Sequence, residues 1–231
     1  MAHGYFITGT DTEVGKTVAT CLLLRAAVAG GMQAVGMKPV ASGCVPGPHG
    51  GLDNEDVLAH EAAGNVVAPR TLTNPYAFVP PVSPHLAARG AGVAIDIGLI
   101  QARYQQLQRQ AELVLVEGAG GWLAPLDDNH TMADLAVRLG LPVILVVGLR
   151  LGCLNHAMLT VAAIAARGLP MAGWVANCVD PAMRAREDNL AYLTQHIAAP
   201  CLGVIPNFSA GQKAESNQEQ MLGFELKMLI K

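Results

Sequence analysis

The chain has 231 residues, 52% of them hydrophobic and 14% charged, with a formal net charge of −3. That balance argues against extensive disorder, offers no electrostatic basis for binding nucleic acid and leaves no basic run to hold the chain to an anionic membrane. The longest apolar runs, such as LPVILVVGL, fall well short of a membrane span.

In chain order, YFITG (5–9) is a predicted strand, followed by a polar loop and a helix from about Gly15 to Ala29. The Gly30-Gly31 turn opens a second strand, MQAVGMK (32–38). The stretch from Cys44 to Ile95 is rich in Pro and Gly and breaks the rhythm, as functional or mobile segments do. A helix is predicted near 97–110. Next come a continuous apolar strand, Leu113 to Val116, ending at Glu117 and a glycine cluster, and a helix near 131–139. LPVILVVG (141–148), MAGWVANCV (171–179) and APCLGVIP (199–206) are further strands, with helices near 154–167, 184–197 and 215–229.

Strands this uniformly apolar are buried on both faces, as in a parallel sheet covered by helices. Their alternation with helices predicts right-handed crossovers and one three-layer α/β/α domain spanning the chain. Ligands then bind beyond the carboxyl ends of the strands, where Thr8-Gly9, Lys38, Glu117-Gly118 and Asn177 are expected. Five scattered cysteines form no C-x-x-C pair, and seven histidines form no H-E-x-x-H, so neither zinc nor a disulfide frame is indicated. Reduced thiols and an N-terminus without a signal-peptide pattern point to the cytoplasm.

The loop GTDTEVGKT (9–17) has the character of a phosphate-binding loop, with Gly9 one residue further from Gly15 than in G-x-x-x-x-G-K-[ST]. Backbone N–H groups and the helix dipole after Gly15 suit an anionic phosphate. Lys16 adds a positive charge for the β/γ-phosphates, and Thr17 a hydroxyl for Mg²⁺. Lys38 ends a strand before Pro39; from position alone, a solvated lysine explains it as well as a site cation. Ser42-Gly43 just beyond could supply a hydroxyl and N–H groups. A carboxylate at Glu117, at the end of the most apolar strand, is costly unless paired or metal-bound, and P-loop enzymes commonly use such a carboxylate for Mg²⁺. Asp53, Glu55 and Asp56 read by themselves as the solvated start of a helix.

GTDTEVGKT, KPVASG, NED, NPYAF…PVSPHLA, VEGAGG, RLGCLNHA and VANCV occur in this order, and together they resemble the dethiobiotin synthetases. The likeness extends to about Pro206 and includes the longer glycine spacing of the first loop. It implies a P-loop NTPase-like fold of the nitrogenase-iron-protein type, with a mostly parallel seven-stranded sheet, and a homodimer. It implies an ATP- and Mg²⁺-dependent ligase acting on 7,8-diaminopelargonic acid and CO₂. Lys16 and Lys38 would be the catalytic cations, and Thr17, Asp56 and Glu117 the Mg²⁺ ligands. Glu13, Val14, Gly15, Lys16, Thr17 and Val18, with Gly118, Ala119 and Gly120, would line the nucleotide's phosphates. Asn177 and Cys178 would read adenine, flanked by Pro206, Asn207 and Phe208. Thr12 and Ser42 would contact the diamine and carbamate, and Gly152, Cys153 and Asn155 would reach the substrate carboxylate across the dimer. After Pro206 the sequence NFSAGQKAE departs from the pattern of many relatives, leaving the rest of the adenine pocket open. The competing reading is a P-loop regulatory or partitioning ATPase; such proteins often carry a second lysine at the position of Thr10.

Overall fold

The computed structural model describes residues 2–48 and 50–207. The helix expected at 215–229, and Phe208, lie outside the described residues. The elements run β1 (His3–Gly9), α1 (Lys16–Ala29), β2 (Ala34–Met37), β3 (Val40–Ala41), β4 (Val45–Pro46), β5 (Leu52–Asp53), α2 (Glu55–Ala63), α3 (Arg70–Thr73) and β6 (Tyr76–Ala77). They continue with α4 (Pro84–Gly90), α5 (Ile97–Leu107), β7 (Leu113–Gly121), α6 (Met132–Leu139), β8 (Val143–Gly148), α7 (Cys153–Ala166), β9 (Met171–Asn177), α8 (Arg186–His196) and β10 (Cys201–Ile205).

The main sheet has the order β10-β9-β8-β1-β7-β2, with every pairing parallel. Among the described residues it contains the six strands read from apolar periodicity, not the seven that the family resemblance implied. The chain leaves the sheet at Lys38, whose N–H donates to the Thr73 carbonyl. Pro39 follows and has no N–H to offer a ladder. The next residues, β3, pair with β6 in a separate two-stranded sheet.

Alternating side chains along each strand build the three layers. Leu113 and Leu115 of β7 join Tyr5 and Ile7 of β1 on the face packed by Leu22, Leu23 and Leu24 of α1. Val114 and Val116 join Phe6 on the opposite face, against Ile100, Tyr104 and Leu107 of α5 and Met132 and Leu135 of α6. Further along that second face, Leu145, Val147 and Trp174 pack with Cys153, Ala157 and Leu193 from α7 and α8. Trp122 is also core, edge-on to Phe6 at 6.3 Å. All five cysteines are free, and no helix among the described residues is long and apolar enough to cross a membrane.

Two further expectations needed revision. The strand carrying Glu117 does not end there. It continues to Gly121, with its register shifting opposite Ile7 and Gly9, so the glycines keep the backbone close to the first loop. The segment 44–95 is also more regular than its Pro/Gly content implied, holding α2, α3, α4 and short paired strands. The nine-residue α2 is started by Asn54, whose side chain accepts from the N–H groups of Asp56 and Val57.

Leu115 is fully buried at the centre of β7. Leu115→Ala is therefore expected to lower unfolding free energy by about 2–5 kcal/mol, measured by urea denaturation.

Candidate nucleotide and cation site

The loop from Thr10 to Gly15 joins β1 to α1 and takes a path few L-residues favour. Gly15 has φ 85° and Glu13 φ 58°. A Cβ on Gly15 would come within 2.0 Å of Asn177 Nδ2, so glycine is required there twice over, by conformation and by space. Asn177, at the end of β9, donates from Nδ2 to the Val14 carbonyl at 2.9 Å. Asn207 donates to the Cys178 carbonyl at 2.9 Å. Asn177, Cys178, Pro206 and Asn207 thus gather beside the loop's far end, with Cys178 buried and Pro206 and Asn207 exposed.

At the start of α1, Lys16 is buried to 7% exposure, and its ammonium donates to the Asp11 carbonyl at 2.9 Å. Burial, with Lys38 nearby, lowers its pKa to about 8. Asp11 is itself ion-paired with Arg150, which ties the first loop to the segment leading into α7. Sequence reasoning overlooked this pair, because Asp11 and Arg150 lie 139 residues apart.

The charged centre is built on Glu117, which has no exposed surface. Its Oε1 receives Lys38 Nζ at 2.6 Å and lies 3.0 Å from Thr17 Oγ1. Its Oε2 lies 2.8 Å from His60 Nε2 and 3.0 Å from Thr20 Oγ1. Lys38 Nζ also meets Asp56 Oδ2 at 2.7 Å, and Asp56 Oδ1 is 2.7 Å from Thr17 Oγ1. Burial disfavours charge on both Glu117 and Lys38, but each group's partners outweigh it. Lys38 and His60 hold Glu117 well below the usual carboxylate range, and Glu117 and Asp56 hold Lys38 above the usual lysine value.

The structure therefore brings together Lys16, Thr17, Lys38, Asp56 and Glu117, residues from four separate stretches of sequence. Lys38 is an ion-paired buried lysine and not a solvated one. Asp56 is placed by its helix cap, and Asn54 Nδ2 also donates to the Ser42 carbonyl at 3.2 Å, so Ser42 is tethered beside Asp56. Thr12 is exposed and lies near Gly120, whose φ is 67°. Gly152 and Asn155 are exposed at the start of α7, whereas the Cys153 side chain is buried in the core. Any contact from Cys153 to a ligand must then come from its backbone. His60 and Thr20, both buried partners of Glu117, were not singled out by sequence. The spacing of His60 four residues after Asp56 was the available signal, since such pairs share a helix face.

The donor set around Lys38 suits a hard divalent cation: two carboxylates and a hydroxyl, all oxygen. The Lys38 ammonium already shows that this spot accepts positive charge. Among the described residues no group of three or more His, Cys, Asp or Glu side chains forms a complete metal cage.

A parallel sheet with a glycine-lysine-threonine loop and a strand-borne carboxylate is the framework of a P-loop NTPase. Solved structures agree at the level of fold. The chain resembles the MinC:MinD cell division protein complex of Aquifex aeolicus (TM-score 0.57, 15% identity, 90% of this chain and 82% of that one). It also resembles cell division protein FtsY of Thermotoga maritima (TM-score 0.52, 12% identity, 100% and 69%). A family profile described as "AAA domain" matches residues 3–214. The ATP-dependent dethiobiotin synthetase BioD of Nitrosospira multiformis is 50% identical over 206 residues, covering 89% of each chain. Those of Xanthomonas campestris pv. campestris (53% over 202 residues, 87% and 90%) and Aromatoleum aromaticum (50% over 213 residues, 92% and 94%) are similarly close. This chain belongs to the dethiobiotin synthetase family.

Lys38→Met would leave Glu117 buried without its ammonium partner, and is expected to destabilise the fold by about 3–5 kcal/mol near neutral pH. The pKa of Glu117 is depressed in the folded state. Its stabilising contribution is therefore present above the unfolded carboxylate value and is lost as pH falls through the folded one. In the variant the uncompensated charge is removed by protonation, so the deficit should shrink toward about pH 4. Urea unfolding of both proteins across that range measures it.

Proposed function

We propose that the chain, acting as a single P-loop α/β domain, is an ATP-dependent dethiobiotin synthetase. It is a ligase that carboxylates 7,8-diaminopelargonic acid (7,8-diaminononanoate) with CO₂ and closes the ureido ring, releasing ADP and phosphate. The observation that carries this reading is the meeting of Lys16, Lys38, Asp56 and Glu117 beside Thr17 in a chain half identical to such synthetases over nearly nine-tenths of its length.

One substrate amine takes up CO₂ as a carbamate. A carbamate oxygen attacks the γ-phosphorus of ATP, the bond to the bridging β–γ oxygen breaks, and ADP leaves. The second amine attacks the carbon of the resulting carbamic–phosphoric anhydride, closes the ring and expels phosphate, losing its proton. The barrier lies mainly in bringing two anions together, so positioning and charge neutralisation are the protein's main tasks. Lys16 would bind the β/γ-phosphates. Lys38, close to the same carboxylates, would neutralise charge where carbamate and γ-phosphoryl group meet.

The site before ligands arrive is nearly balanced, with two ammonium groups against two carboxylates, so an incoming triphosphate needs further positive charge. Mg²⁺ held by Thr17, Asp56 and Glu117 would supply it, shielding the phosphates as a Lewis acid. Backbone N–H groups of Glu13 to Val18 and the glycines 118–120 would line the phosphates. Asn177, Cys178, Pro206, Asn207 and Phe208 are assigned to adenine, and Thr12 and Ser42 to the diamine and carbamate.

A homodimer in the cytoplasm completes the reading. α7 presents Leu159 at 61% exposure, and Leu151 just before it is 95% exposed, apolar surface that a second copy would cover. Gly152, Asn155 and the Cys153 backbone would then meet the partner's substrate carboxylate. A partitioning ATPase is disfavoured by Thr10 and by the family relationship; the likeness to the MinC:MinD complex is one of fold.

Incubation with the diamine, bicarbonate, Mg²⁺ and ATP should yield dethiobiotin, detected by mass spectrometry. ATP hydrolysis indifferent to the diamine, with no product, would refute the assignment. Lys38→Ala is expected to lower turnover at least 100-fold, on the order of removing one transition-state charge donor, while ATP binding measured by calorimetry persists. Near-normal turnover in that variant would remove Lys38 from its proposed role.

A further inference from the structure

Glu117 is gripped at both oxygens, and the two grips differ in kind. Oε1 faces Thr17 and Lys38, the groups that must rearrange when nucleotide and cation arrive. Oε2 faces Thr20 and His60, which lie behind the carboxylate. The single hydroxyl hydrogen of Thr20 is contested, because its Oγ1 is also 2.9 Å from the Lys16 carbonyl. His60 Nε2 has no such competitor. Facing an ionised carboxylate that can only accept, it must carry the hydrogen and donate it.

The placement of this imidazole is built into the fold. His60 lies four residues after Asp56 on α2, so one helix face delivers His60 to Glu117 and Asp56 to the Lys38 and Thr17 beside it. The ring is 3% exposed and lies against Gly36 of β2. A Cβ at Gly36 would stand 2.8 Å from His60 Cβ and Cγ, closer than packing permits. A glycine in a short buried strand therefore makes room for the ring.

We propose that His60 is a positioning residue of the cation site: by holding Oε2 it turns Glu117 so that Oε1 alone is presented to the divalent ion. This rests on the reading of Glu117 as a cation ligand. Partners that orient a ligating side chain typically change metal affinity 10- to 100-fold when removed. The effect sought is therefore on the metal-dependent part of nucleotide binding, not on folding or on the phosphate loop.

The test is calorimetric binding of ADP to the full chain, with Mg²⁺ and with EDTA, together with direct Mn²⁺ binding in the presence of ADP followed by the electron paramagnetic resonance signal of free Mn²⁺. His60→Leu should weaken Mg²⁺-supported ADP binding and Mn²⁺ binding about tenfold or more, with ADP binding in EDTA unchanged. His60→Gln, whose amide nitrogen can reach the position of Nε2, should restore most of the loss. His60→Asn, one methylene shorter, should not. Gly36→Ala, which crowds the ring, should show the same metal-dependent weakening. The proposal is overturned if His60→Leu binds Mn²⁺ like the wild type, if the loss is equal in EDTA, if Gln fails to rescue, or if Gly36→Ala leaves metal binding intact. Wild-type ADP binding indifferent to Mg²⁺ would instead bring down the cation-ligand reading itself, and this inference with it.

Discussion

A carboxylate with no exposed surface sits on the second strand from the sheet's edge, and much of the site's architecture follows from it. Glu117 is fixed in β7 by its pairing with Ile7 of β1, one residue beyond the last β2 pair, Met37 with Val116, so its side chain starts from inside the sheet. An isolated buried charge would be strongly unfavourable. Neutralising it calls for Lys38 from the end of β2, hydroxyls from the first turn and a half of α1, and an imidazole from α2. Each of those elements is thereby held to the carboxyl end of the sheet, where the phosphate loop opens.

The same arrangement makes the site responsive. Lys38 lies between two carboxylates at 2.6 and 2.7 Å, in the surroundings a divalent cation would seek. Nucleotide and metal would enter a site already preorganised for positive charge, with Lys38 free to follow the new negative charge of the phosphates. Preorganised charge of this kind needs little reorganisation during reaction. It also explains why a buried ion pair is retained where an apolar pair would pack as well.

Much of this was legible in the sequence. Six apolar runs became the six described strands of the main sheet, because burial on both faces of a parallel sheet leaves a continuous hydrophobic signal. The loop at 9–17 and the carboxylate at 117 stood out because glycine and charge are unusual beside such strands. The family resemblance drew Lys38 and Asp56 into the site, where position alone left both ambiguous, but implied seven strands where the described residues place six in the main sheet. Local composition misled over 44–95, where an Asn cap and short strand pairings impose order on a Pro/Gly-rich segment.

What the sequence determined by itself was the strand–loop–helix grammar and the residue types that phosphate and cation chemistry require, since both are written in local periodicity and spacing. Tertiary structure alone decided which charges meet. The contact of His60 with Glu117 spans 57 residues, that of Asp11 with Arg150 spans 139, and the Asn177 contact that closes the loop spans 163. No local pattern encodes such pairings, because they depend on strand order: β7 is inserted between β1 and β2, and α2 is laid across that edge. The physical reason is that burial makes electrostatic partners obligatory without specifying, in one dimension, where they come from.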